Sequence, residues 1–212
     1  MRWIWFILLV ILCDCAPTAF KERWLSKPAP KEFYARFETT HGDFDIRSKR
    51  AWSPEAVDRL YQLIYRGYFE DMPVYRVVPD YVAQFGINDD SVKNKAWNHY
   101  AIPDEPVLKE NTLGTIAFAR NGPNSRSSQL FINLSNNSPR LDTIRYNNVV
   151  GFPVVAEVIA GMDNVSEFFN EYENEPLNHY DSLEKYGNQY AQKHFPELDY
   201  IQKSYIIHPP IN

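Results

Sequence analysis

Cysteine is almost missing from this chain. The 212 residues hold two, Cys13 and Cys15, both close to the N-terminus. The remaining chain can form no internal disulfide and offers no Cys–His pair for nucleophilic chemistry. A Gly-x-Ser-x-Gly elbow and a phosphate-binding glycine loop are also missing. The five histidines, His41, His99, His179, His194 and His208, are scattered without metal-ligand spacing. No metal or cofactor is therefore expected. Positive charge is in deficit, with 22 Lys and Arg against 27 Asp and Glu. A net charge of −5 and the lack of a basic stripe argue against nucleic acid or an anionic membrane surface as the main partner. Internal repeats and low-complexity tracts are absent. Aromatics are plentiful, with 14 Tyr, 13 Phe and 5 Trp, and together with β-branched runs they favour β structure. The length suits one domain with a sizeable core.

The N-terminus reads separately from the rest. Arg2 precedes an apolar run from Trp3 to Leu12 that is too short to span a bilayer comfortably. A positive residue before a short apolar core has the form of an export signal. The run stops at Cys13-Asp14-Cys15, which resembles a bacterial lipoprotein signal and makes Cys13 and Cys15 candidates for lipidation. The residue ahead of either cysteine, Leu12 or Asp14, is not the small one such signals favour. An uncleaved anchor and simple secretion are the alternatives. Each reading places the protein in a bacterial cell envelope or beyond it. Residues 16–32, with three prolines, read as a tether between a signal segment (1–15) and a domain (33–212), unless Trp24 and Leu25 pack on that domain.

Within the domain, residues 33–39 and 44–47 form a hairpin pattern around His41-Gly42-Asp43. Ser53 and Pro54 open a helix whose apolar positions run through Val57, Leu60, Tyr61, Ile64 and Tyr65, with Gly67 as its stop. Residues 87–113 read as a long polar connection. Strands are expected at 114–120, 128–134, 154–159 and 198–207. Asp163 is expected to cap a short helix, and a helix is expected over 181–193 inside an acidic, aromatic segment, 171–196.

Two stretches carry the chemistry. The first runs from Val74 to Gly86, strand, Pro-Asp turn, strand. Arg76 sits between Tyr75 and Val77, and Gln84 ends the second strand. A guanidinium and an amide set into an apolar surface suit a neutral, amide-rich ligand such as an extended peptide. The second stretch runs from Gly114 to Asn133, strand, Gly122-Pro123-Asn124-Ser125 loop, strand. Together they resemble the two signature stretches of the cyclophilin family of peptidyl-prolyl cis-trans isomerases. Residues 156–165 are similar to that family's closing strand and helix start. The resemblance runs over residues 33 to 207.

The resemblance implies a closed eight-stranded antiparallel β-barrel with a helix over each end, here near 54–66 and 163–170. It also implies an isomerase that needs no cofactor, acts as a monomer and takes Pro-containing, unfolded or flexible polypeptides. Arg76 matches the catalytic arginine. Gln84 matches the glutamine that orders the arginine and the substrate carbonyl. Tyr81, Val82 and Phe131 match the floor and walls of the proline pocket, with Leu141 as a further wall and Phe152 near the closing strand. Ala119, Arg120 and Asn121 match the edge that pairs with substrate backbone, and Gln129 matches a second glutamine.

The chemistry fits those parts. Rotation about an X-Pro amide is opposed by roughly 18–20 kcal/mol. A hundred-thousandfold acceleration needs about 7 kcal/mol. The twisted amide has a briefly basic nitrogen, and a fixed cation donating to it stabilises the twisted form above either planar form. One charge-assisted hydrogen bond supplies only about 1.5–3 kcal/mol, so a proline slot and groups that hold the flanking peptide must supply the rest. Three departures from the family stand out. The glycine-rich loop after Gly86 is replaced by polar sequence, the 135–142 stretch is longer and lacks an aromatic before Leu141-Asp142, and Phe152 stands where His or Tyr is usual. These departures imply weak binding of the family's cyclic peptide inhibitor. The rival to an isomerase of exported proteins is a cyclophilin-like module that binds Pro-containing segments without useful turnover. A lipocalin-like barrel fits less well, because the chain has a mid-chain helix and no Gly-x-Trp start.

Overall fold

The computed structural model describes residues 20–209. Strand β1 (Glu32–Thr39) turns into β2 (Phe44–Lys49), and helix α1 (Pro54–Tyr65) follows. Next come β3 (Met72–Pro73), β4 (Arg76–Val78), β5 (Val82–Phe85), α2 (Ser91–Asn98), β6 (Thr115–Phe118) and β7 (Leu130–Asn133). A short helix α3 (Arg140–Thr143) leads to a small hairpin, β8 (Arg145–Tyr146) and β9 (Val149–Val150). The chain ends with β10 (Val154–Ala160), α4 (Met162–Ser166), α5 (Glu175–Asn178), α6 (Tyr180–His194) and β11 (Tyr200–Ile207).

Nine strands make one antiparallel sheet in the order β3-β11-β1-β2-β10-β6-β7-β5-β4. Its two edge strands, β3 and β4, are separated along the chain by Val74 and Tyr75 alone. The sheet therefore curls until its edges are joined by the backbone itself. Taken as one bent strand, β3 and β4 leave the eight that the sequence implied. The bend follows from their partners, since Met72 pairs with Ile201 of β11 and Arg76 with Gln84 of β5.

The interior is packed with rings. Phe37 and Phe44 stack at 4.9 Å, and Phe69 and Phe85 meet Phe37 at 5.6 and 5.9 Å. Strands β5, β6 and β7 are buried on both faces. Ala83, Phe85, Ile116, Phe118, Leu130 and Ile132 point into the main core. Their alternates Val82, Ala117 and Phe131 join Leu141 in a separate outer cluster. A filled interior leaves the outer wall as the place for a ligand.

Helix α1 covers the end of the barrel where Phe33 meets Tyr61. Its N-cap position is Ser53, as expected, but the Ser53 side chain does not cap it. Glu105 does so from the long connection, accepting from the backbone N–H of Glu55 at 2.9 Å and of Ala56 at 3.1 Å. Ser53 donates its hydroxyl to the same carboxylate. The opposite end carries less helix than expected. Helix α4 ends at Ser166, and Phe168 fills the core from the coil that follows. Gly161, at φ 78°, takes the N-cap position expected of Asp163, because its Cα lies against the Asp43 carbonyl and has no room for a side chain.

Two further expectations are corrected. The 87–113 connection contains α2, whose N-cap Asp90 accepts from Val92 N and Lys93 N. Helix α2 buries Trp97 against the core, so the connection is not structureless. Residues 20–31 are not a free tether. Phe20, Trp24 and Leu25 pack on the core, and Gln62 donates to the carbonyls of Leu25 and Lys27. Residues 16–19 and the signal segment with Cys13 and Cys15 lie outside the described residues. Among the described residues no helix is long and apolar enough to cross a membrane. Helix α6 is bent at Gly187 (φ 54°, ψ −137°), where a side chain would collide with the backbone of Asp89.

Candidate active site

The outer faces of β4, β5 and β7 share one cavity of about 680 Å³ with the 119–127 loop, Leu141, Phe152 and the start of α6. Every residue that the resemblance nominated in the domain lines it. Arg76 and Gln84 are direct cross-strand partners, and Arg76 Nη1 donates to Gln84 Oε1 at 3.1 Å. The Arg76 guanidinium carbon lies 5.5 Å from the Tyr81 ring centre. Beside it, Val82, Phe131 and Leu141 form the apolar floor, with Tyr81 and Phe152 at its rim. Phe152 meets Phe131 edge-on at 5.4 Å and is tied to Leu141 through its backbone N–H at 2.8 Å. A cation thus stands at the border of a slot built from branched and aromatic side chains.

The glutamines are held by a residue that the sequence reading passed over. Tyr75 is fully buried. Its hydroxyl accepts from Gln84 Nε2 at 2.6 Å and donates to Gln129 Oε1 at 2.6 Å. Gln129 Nε2 in turn donates to the Tyr180 hydroxyl at 2.8 Å, which donates to Glu184 at 2.7 Å. Burial pushes the Tyr75 phenol well above its ordinary range. Burial and then the Glu184 hydrogen bond do the same to Tyr180. Both hydroxyls therefore keep their protons at neutral pH. Tyr75 was the neighbour of Arg76 in the sequence, and strand alternation would have sent it to the other face. The backbone step between β3 and β4 brings its hydroxyl back to Gln84.

The expected edge is shorter than a strand. Strand β6 stops at Phe118, and the Ala119 N–H is already taken by the Gln129 carbonyl at 2.9 Å. Asn121 is exposed, and its N–H is taken by Ser125 Oγ at 3.1 Å. The Arg120 side chain folds inward. It is 1% exposed, lies 4.8 Å from the Phe152 ring centre and sits 3.8 Å from Asp104. Desolvation lowers its pKa from the ordinary arginine value. It backs the slot from behind Phe152. Ser127 and Ser128 both donate to Asn98 Oδ1, at 2.7 and 3.1 Å, and so serve the loop as hydrogen-bond donors. Among the described residues no group of three His, Cys, Asp or Glu side chains could hold a metal ion.

The barrel and this outer wall define a cyclophilin-type protein, and comparison with known proteins agrees. A family model for cyclophilin-type peptidyl-prolyl cis-trans isomerase matches residues 34–186. The chain belongs to that family. Peptidyl-prolyl cis-trans isomerase B of Escherichia coli K12 is 31% identical over 142 residues, which is 62% of this chain and 80% of that protein. Peptidyl-prolyl cis-trans isomerase-like 2 of Aspergillus oryzae is 31% identical over 102 residues, 47% of this chain and 18% of that much longer protein. A solved cyclophilin-type isomerase of Cryptosporidium parvum superposes with a TM-score of 0.61 at 18% identity, covering 84% of this chain and 99% of its own. At that identity the likeness concerns the fold.

Proposed function

We propose that this chain accelerates cis–trans isomerisation of X-Pro bonds in unfolded or folding polypeptides that have been exported from the cytoplasm. The proline ring enters the slot of Val82, Phe131 and Leu141, with Tyr81 and Phe152 at its sides. Arg76, braced by Gln84, donates to the amide nitrogen as it becomes pyramidal. Gln129 and those backbone groups of residues 119–121 that the Gln129 carbonyl and Ser125 Oγ leave free hold the flanking peptide. No bond to carbon or nitrogen is made or broken, so the acceleration comes from binding the twisted amide better than the planar one. The observation that carries this reading is the Arg76–Gln84 hydrogen bond at the rim of the apolar slot. A coupled assay on an Ala-Pro peptide, run on wild type and Arg76→Ala, tests it. Equal rates in the two proteins would favour a peptide-binding module without turnover.

The export part of the proposal rests on Arg2, the apolar run to Leu12 and the Cys13-Asp14-Cys15 stop. In it, one of those cysteines carries the lipid that anchors the domain in a bacterial envelope. Mass spectrometry of the N-terminus of the protein made in its own cells decides this. An acylated cysteine supports it, and an intact, unmodified Met1 overturns it.

A further inference from the structure

The connection from β10 to β11 is where this chain departs most from a plain barrel. It carries α5 and α6, and its first turns do not stay away from the groove. Asn174, just before α5, accepts from Arg76 Nε at 2.7 Å. Leu177 and Tyr180 line the same cavity as Arg76, Gln84 and Gln129. One unbroken line of hydrogen bonds then runs Asn174–Arg76–Gln84–Tyr75–Gln129–Tyr180–Glu184. It starts and finishes in the same connection and passes through the arginine and both glutamines.

The connection is also firmly docked. Asn188 N–H donates to Asp89 Oδ1 at 2.7 Å, and Asn188 Nδ2 donates to the Asp71 carbonyl at 2.7 Å. Asn98 Nδ2 donates to Glu184 Oε1 at 2.7 Å, tying α6 to α2. Leu183 and Ala191 bury against Tyr75 and Ile87. The bend at Gly187 lets the helix backbone close on Asp89. A bracket fastened at so many points can hold what it touches.

We propose that residues 171–184 are a working part of the active site, with Asn174 as a positioning residue for Arg76 and Tyr180 as one for Gln129. A guanidinium held only by Gln84 through Nη1 can still swing about its side-chain torsions. A second acceptor on Nε removes that freedom and leaves the far edge of the guanidinium free to donate. The groove is then built from two pieces, the barrel wall and this bracket, and the orientation of the cation belongs to both. The inference rests on the isomerase reading above.

Asn174 is exposed, so its substitution does not threaten the fold. Asn174→Ala is expected to lower kcat/KM about tenfold, mostly in kcat, as a loss of about 1.4 kcal/mol of transition-state stabilisation would. Asn174→Asp, which keeps an acceptor, is expected to restore most of the rate. In an Arg76→Lys background, which has no Nε–H to offer, Asn174→Ala should change little. Equal fractional losses in both backgrounds, or no loss in the wild-type background, would overturn the assignment. The Arg76 Nε–H resonance gives a readout independent of turnover. It should shift on Asn174→Ala and stay near its place on Asn174→Asp, and a resonance that ignores both also overturns the assignment. A wild-type protein without isomerase activity would sink the isomerase reading, while the resonance would still report on the bracket.

Discussion

Arg76 and Gln84 face each other across the β4–β5 ladder, and the guanidinium meets the amide oxygen at 3.1 Å. The register of one strand pair thus aims a charge at the slot rim and braces it from within its own sheet. Arg76→Ala should reduce kcat/KM roughly tenfold to hundredfold, the range expected for one charge-assisted hydrogen bond in the transition state. The peptide-coupled assay measures it, and an unchanged circular dichroism spectrum guards against misfolding.

Tyr75→Phe removes one hydroxyl and leaves Gln84 Nε2 and Gln129 Oε1 only the long hydrogen bond to each other, at 3.4 Å. Stability should fall by about 1–3 kcal/mol. The rate should fall as well, because Gln84 is then free to leave Arg76. Paired thermal melts and kinetics check this. A fall in stability with an unaltered kcat would separate the fold from the site.

Phe131→Ala opens the slot floor. Phe131 is 5% exposed and belongs to the outer cluster, not the barrel interior. Deletion of a buried Phe ring typically costs about 3–5 kcal/mol, and the open rim places this one toward the lower end. Peptide binding should weaken strongly, seen as a raised KM or as lost chemical-shift changes on titration with an Ala-Pro peptide.

Glu105 joins two parts of the molecule that the sequence keeps far apart. It caps α1 and pairs with Arg126 at 3.1 Å, whose side chain is fully buried. Arg126 also donates to the Pro103 carbonyl. Glu105→Ala leaves a buried cation short of its counter-charge, a loss of about 3–5 kcal/mol. At roughly 2–4 °C per kcal/mol for a chain of this size, the melting temperature should drop by about 10 °C. Arg126→Ala made together with it should recover part of the loss.

The pH dependence has a definite sign. Burial raises the phenols of Tyr75 and Tyr180 above their ordinary value near 10. The folded state holds those protons more tightly than the unfolded one. Their contribution to stability is complete below about pH 10 and is lost as pH rises beyond it. Activity should be flat from about pH 6 to 9, and melts at pH 11 should fall well below those at pH 8. Tyrosinate absorbance should show these two phenols ionising only as the chain unfolds.

Much of the barrel was legible because its signals are local. Alternation marks β1, Pro54 marks the start of α1, and the Pro79-Asp80 and Gly122-Pro123 turns fix the strands that carry Arg76, Gln84 and Phe131. Helix α2 went unread because its surface is polar and Trp97 is its one large buried apolar side chain, although Asp90 announces its start. The Glu105 cap and the Asn174 contact were hidden for another reason. Arg76 and Asn174 are 98 residues apart, and no pattern along the chain brings them together before the barrel has formed. The slot was readable from motifs, whereas the bracket exists only in three dimensions.

Strand β11 covers β1 on one side and β3 on the other. A polypeptide cut short before Tyr200 would leave both of those ladders bare, each a template for pairing with a second molecule. During synthesis the segment that shields the sheet from such pairing emerges only after both of the strands it shields, and until it arrives their edges stand open to a neighbouring chain.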